Sequence, residues 1–304
     1  LWKTFLHTIL EDLNNYFELG DISDDTHGDI LSIDKVIDVV LENIPSTVEN
    51  IKNNTRKELK LDAQINNWWL SSATEYGYNA KDKLNKFPTL SKVILTDWVF
   101  KIVFANVLKR YFNEARAVEA VDYDTKVNEA KQIIIGISEH CNFWNIFSDN
   151  LAIELISDTA WKQIVQLNLF LSTINIDGIE IEILHNLLQS SIASAKRKVA
   201  GQFATPKKLA DLLTRLSIND KEGIVIDPCC GTGTIIKQAY LLKEEYEISQ
   251  DNILESIWAS DKHSFPIQLS TLTLAKPDNI GRVLNIFRPD VIELQTRQTL
   301  IYKE

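Results

Sequence analysis

The chain has 304 residues, 45% apolar and 24% charged, with net charge −10 and a pI near 5.1; that length suits two cored domains of ~100–200 residues each. The acidic balance argues against a stand-alone nucleic-acid binder, whose phosphate contacts need a basic surface. Three cysteines, Cys141, Cys229 and Cys230, cannot build a disulfide framework, no apolar run reaches the length of a membrane span, and no signal peptide is evident, so a cytoplasmic protein is expected.

The first part of the chain reads as helical. Trp2 to Leu19 carries apolar groups at helical spacing, and Ser32 is placed to cap a helix bearing Val36, Ile37, Val39, Val40 and Ile44. An acidic stretch from Asp21 to Asp29 reads as a solvated loop. From Leu90 to Phe112 the pattern is apolar nearly all round, which predicts a helix buried at the domain centre. Further helices are expected over 125–138, 142–156, 158–173 and 180–198. Trp68, Trp69, Trp98, Trp144 and Trp161 read as core aromatics, since no basic residues interleave with them as base stacking would require.

After residue 200 the texture changes. Thr205-Pro206 predicts a helix start, with Leu209, Leu212, Leu213 and Leu216 on one face. A strand follows over Gly223–Asp227, then a Gly-Thr-Gly turn and a helix over 234–245. A second strand over Ser256–Asp261, a helix over Ser264–Ala275 and a third strand over Arg282–Phe287 complete the run. Strand, helix, strand, helix, strand is the opening of a doubly wound parallel sheet. The expected domains are 1–195, helical, and 196–304, α/β.

The stretch Val-Ile-Asp-Pro-Cys-Cys-Gly-Thr-Gly-Thr at 225–234 concentrates the chemistry. Adjacent cysteines lack the spacing of a zinc site, and no second pair exists. A phosphate-cradling loop needs a lysine directly after its last glycine, where Thr234-Ile235 stands here. A dinucleotide fingerprint needs three glycines, and only Gly231 and Gly233 are present. What remains is a carboxylate, Asp227, at the carboxyl end of a strand, followed by a bare-backbone turn that lets a ligand approach closely. Asp261 ends the next strand, where an acid typically takes ribose hydroxyls. Together they suit a nucleoside with a cationic amino-acid tail, a description that S-adenosylmethionine fits.

Asp-Pro-Cys-Cys-Gly-Thr-Gly resembles the first motif of class I S-adenosylmethionine-dependent methyltransferases. With Gly-Gln-Phe-Ala-Thr-Pro at 201–206 upstream, the pair resembles the N6-adenine DNA methyltransferases of restriction–modification systems, both type I modification subunits and fused type II enzymes. The likeness covers roughly 180–290, including the lead-in Ile183 to Gln189, and extends to 1–180 only as helical texture. It implies an α-helical amino-terminal domain followed by an α/β class I methyltransferase (Rossmann-like) domain, incomplete at its carboxyl end. It also implies a cofactor pocket built from Gln202, Phe203, Ala204, Thr205 and Pro206, with Asp227, Gly231, Thr232 and Gly233 at the cofactor's methionine end and Asp261 on its ribose. Asp290 would sit near the cofactor adenine or the target base. Cys229 and Cys230 read as small packing residues, and Lys196, Arg197, Lys198, Lys207 and Lys208 as either a solvated run or a strip on DNA phosphates.

The family's catalytic Asn/Asp-Pro-Pro-aromatic run is missing, since no Pro-Pro occurs in the chain. No catalytic residue and no metal ligand is therefore assigned. The chain reads as an amino-terminal segment of a larger enzyme, inactive alone, whose partners would be double-stranded DNA and a specificity or restriction subunit. Two other readings stay open: an RNA guanine-N2 methyltransferase and a non-catalytic scaffold subunit.

Overall fold

A computed structural model of the chain describes residues 33–109, 111–148, 151–173, 205–276, 279 and 281–288. The helices expected over 2–19 and 180–198, together with Gln202, Phe203, Ala204, Asp290 and the basic residues 196–198, lie outside the described residues. The chain divides into two compact units, Leu1–His140 with Phe147–Ala193, and Cys141–Ile146 with Ser194–Glu304. Among the described residues no helix is long and apolar enough to cross a membrane.

The first unit is built around a buried helix. Its helices are α1 (Ile33–Lys57), α2 (Leu59–Ser72), α3 (Lys86–Leu108), α4 (Val127–Cys141) and α6 (Asp158–Thr173), while the single turn α5 (Trp144–Phe147) has its first three residues in the second unit. The all-round apolar pattern of α3 is matched by burial of Leu90, Ile94, Leu95, Trp98, Ile102 and Phe104. Even its one internal ion pair is buried, with Lys101 Nζ 2.7 Å from Asp97 and 2.8 Å from the Ser148 carbonyl. Trp98 and Trp161 meet edge to face at 4.9 Å, and each indole N–H finds a carbonyl, of Ile153 and Thr125 respectively. The core reading of these two tryptophans and of Trp69 holds; Trp68 and Trp144 are half-buried. The helix expected over 142–156 does not form as one element. Asn142 and Ala152 take left-handed φ of 56° and 60°, which isolates α5 and a 3-10 turn at Ile153–Leu155.

The second unit holds a three-stranded parallel sheet in the order β1 (Val225–Asp227), β2 (Ile257–Ser260), β3 (Asn285–Phe287). Its helices are α7 (Lys207–Ser217), α8 (Thr234–Glu245), α9 (Gln250–Ser256) and α10 (Ser264–Leu274). Asp227 pairs with Ala259, and Ala259 with Ile286, so these three share one face. On that face Ile257, Ala259 and Ile286 pack with Ile236 and Tyr240 of α8, Ile253 and Leu254 of α9, and Ile267 and Leu274 of α10. The opposite face carries Ile226 in register with Trp258, and Ile226 is 66% exposed.

Residues 141–146 close the outer margin of this sheet. The Phe287 carbonyl accepts from Asp261 N–H on the β2 side. The preceding carbonyl, of Ile286, points the other way and accepts from Asn145 Nδ2 at 3.0 Å, while Asn142 Nδ2 donates to the Gly281 carbonyl at 2.7 Å. Helix α7 packs on α8 through Ala210 and Thr214, both buried, and its leucine face points to solvent. Two small residues bring the helix backbones close, and on the exposed rim Arg215 is bonded to Asp211 at 2.9 Å and to Glu245 at 2.7 Å.

Candidate functional site

Strand β1 delivers Asp227 to its carboxyl end, and the chain then bends through Pro228 to Gly233 into α8. Nearly every peptide of the bend is fastened. Ser260 Oγ donates to the Pro228 carbonyl at 3.1 Å, and Cys230 N–H donates to the Ser260 carbonyl at 2.9 Å. Cys229 N–H donates to Asp227 Oδ1 at 3.2 Å, and Gly231 N–H to Asp261 Oδ2 at 3.2 Å. Asp261 Oδ1 takes the His263 N–H at 3.0 Å, so this carboxylate ties the bend to the turn after β2. Gly233 N–H folds back onto the Cys230 carbonyl at 2.9 Å.

The two glycines have different physical reasons. Gly233 has φ +81°, and a Cβ there would meet Cα and Cβ of Ser270 on α10 at 3.0 Å. Gly231 has φ +53°, and a Cβ there would meet nothing within 4 Å. The backbone at Gly231 therefore looks into open space while Gly233 is pressed against a helix. The first turn of α8 begins beside that space, and first-turn amides have no acceptor within their own helix. Such a helix start favours an anionic group.

Burial pushes the Asp227 carboxyl above its ordinary value of 3.8; the Cys229 amide opposes this and the nearby Asp261 charge adds to it. Burial likewise pushes the Cys230 thiol up to about 12, which keeps it protonated. Cys230 packs in the sheet core, in line with its reading as a packing residue; Cys229, given the same reading, is exposed. Thr205 is half-buried and Pro206 is the residue that caps α7, with Leu209 and Ala210 amides on its carbonyl. Helices α7 and α8 pack on each other, and Arg215–Glu245 joins their carboxyl ends. Lys207 and Lys208 are exposed.

Three residues that hold the site carry no signal in the sequence. Ser260 fastens the bend twice, and Thr273 Oγ1 donates to the Thr232 carbonyl at 2.9 Å. Lys243 is fully buried on α8 and donates to the carbonyls of Lys221 and Gly223 at 2.9 and 2.8 Å, fixing the lead-in to β1. Burial holds its ammonium pKa below the ordinary lysine value, with Asp220 and Glu222 pulling the other way.

No curated protein matches the chain. Among the solved structures similar to it are the following three. One is the cryoEM structure of the DrdV–DNA complex (14% identity, TM-score 0.42, 87% of this chain and 26% of that one). The second is the ATP-dependent Type ISP restriction-modification enzyme LlaBIII bound to DNA (16%, 0.43, 88% and 18%). The third is a nuclease-deletion mutant of the Type ISP restriction-modification enzyme LlaGI with a DNA substrate mimic (16%, 0.41, 98% and 24%). The chain thus spans about a quarter or less of the length of each. Residues 181–288, a stretch that takes in Thr205-Pro206, the whole bend and both acids, match the family model of N-6 DNA Methylase.

Proposed function

We propose that the chain is the helical domain, 1–195, and the cofactor-binding part, 196–304, of an S-adenosylmethionine-dependent DNA adenine-N6 methyltransferase of a restriction–modification system. The observation that carries this reading is the bend at 228–233, inside the N-6 DNA Methylase match, where Gly231 faces open space between two carboxylates. The three parallel strands are then one wing of a class I sheet, and the bend lies at the carboxyl ends of its strands, where such sheets bind ligands.

The residues present fit S-adenosylmethionine. Its carboxylate suits the first-turn amides of α8, and its cationic ammonium and sulfonium suit Asp227. Gly231 offers backbone without bulk at this end, with Thr232 and Gly233 beside it in the bend. Asp261 already accepts two backbone amides, and a carboxylate with about four lone-pair directions retains room for ribose hydroxyls. Gln202, Phe203, Ala204, Thr205 and Pro206 complete the pocket in this reading, beside the methionine end. When bound, the cofactor supplies a methyl group made electrophilic by the sulfonium. This chain's residues bind and orient it. Double-stranded DNA is the substrate, with a specificity or restriction subunit as partner.

Isothermal titration with S-adenosylmethionine tests the reading. Binding to the unaltered protein, abolished in Asp261→Ala and with no binding of a nucleoside triphosphate, is the expected result. Absence of any heat with S-adenosylmethionine at millimolar concentration refutes it.

A further inference from the structure

The fastenings of the bend come from Asp227 at the end of β1, from Ser260 and Asp261 at the end of β2, from the first turn of α8, from the bend itself and from α10. A threonine inside a helix ordinarily gives its hydroxyl proton to the carbonyl four residues back. Thr271 does so, donating to the Ile267 carbonyl at 2.8 Å. Thr273 has the same bond within its helix, to Leu269 at 2.9 Å, and a second acceptor outside it, the Thr232 carbonyl, also at 2.9 Å. The single proton is shared in a three-centre bond. Lys237 of α8 donates to the Thr273 carbonyl at 2.9 Å, which closes a circuit from α8 to α10 to the bend.

The peptide unit joining Thr232 to Gly233 is planar, so its carbonyl and its N–H move together. Thr273 holds the carbonyl and the Cys230 carbonyl holds the N–H. That fixes the plane, and with it the orientation of the neighbouring amides of Thr232 and Thr234. We infer that Thr273 is a positioning residue, which sets the backbone that receives the amino-acid end of the cofactor without touching the nucleoside end. The inference rests on the S-adenosylmethionine reading.

The test compares two ligands by titration calorimetry on the purified protein: S-adenosylmethionine, and adenosine, which lacks the amino-acid end. Thr273→Val keeps the shape and removes the hydroxyl; Thr273→Ser restores it. The expected result is about fivefold weaker S-adenosylmethionine binding in the valine variant, in keeping with loss of one hydrogen bond. Adenosine affinity stays unchanged, and serine restores the first value. Equal weakening for both ligands, or none, overturns the inference and leaves the cofactor reading standing. If the unaltered protein binds neither ligand, the cofactor reading falls and this inference falls with it. Thr273→Ala replaces the valine variant if thermal melting shows valine to unfold the protein.

Discussion

The two glycines of the bend provide a test in which stability and binding are expected to move in opposite orders. Gly233→Ala forces an alanine to φ +81°, which costs about 1–2 kcal/mol for a left-handed L-residue. It also places a Cβ 3.0 Å from Ser270 Cα, a backbone atom of α10 that no rotamer change can move. Overpacking of that kind adds about 1–3 kcal/mol, for a total of about 2–5 kcal/mol. Gly231→Ala, at φ +53° with nothing within 4 Å, carries the conformational term alone, about 1–2 kcal/mol. Urea unfolding followed by far-ultraviolet circular dichroism should rank Gly233→Ala below Gly231→Ala in stability. S-adenosylmethionine titration should rank them the other way wherever Gly233→Ala remains folded, because only the Gly231 methyl projects into the proposed seat. Equal stabilities, or a more severe loss at Gly231, would refute the division of labour between packing and open space.

Two further outcomes follow from named groups. Asp227, with its value raised by burial, should bind a cationic ligand only when ionised, so affinity should start to fall at a pH above the ordinary carboxyl value of 3.8 as the solution is acidified. The same shift makes its contribution to stability fully present below 3.8 and lost as pH rises through the folded value; Asp227→Asn should flatten both profiles, and titrations at stepped pH that leave the mutant's slope unchanged would contradict this. In α3, Lys101→Met should cost about 3–5 kcal/mol by removing the ammonium that balances the buried Asp97, and the double change Asp97→Leu with Lys101→Met should recover most of it in thermal melts.

The local shape of the bend was legible because it lies in one contiguous stretch: an apolar run, an acid, a proline and two glycines announce a strand, a bend and a helix before any packing is known. The second strand and Asp261 followed from the same alternation. What could not be read was anything decided between elements. The leucines of α7 share a face, yet burial went to Ala210 and Thr214, because close helix contact favours small side chains. The apolar pattern over 142–156 gave no warning that Asn142 and Ala152 would leave the helical region. Asp261 was read as a ligand acid, while in the structure both of its oxygens also carry backbone amides. Ser260, Lys243 and Thr273 are ordinary residues until the carbonyls they serve are brought to them from 20 to 41 positions away in sequence.

The sealing of β3 by Asn145 makes growth of the sheet one-sided. A newcomer strand finds the Ile286 carbonyl already occupied and must instead lie along β1, which among the described residues is paired only with β2. Accretion there would turn Asp227 from a rim residue into a central one, while the face on which Ile224 and Ile226 stand 69% and 66% exposed would be covered only by a layer packed on it. A parallel sheet is ordinarily clad on both faces, so these two isoleucines mark where cladding is owed.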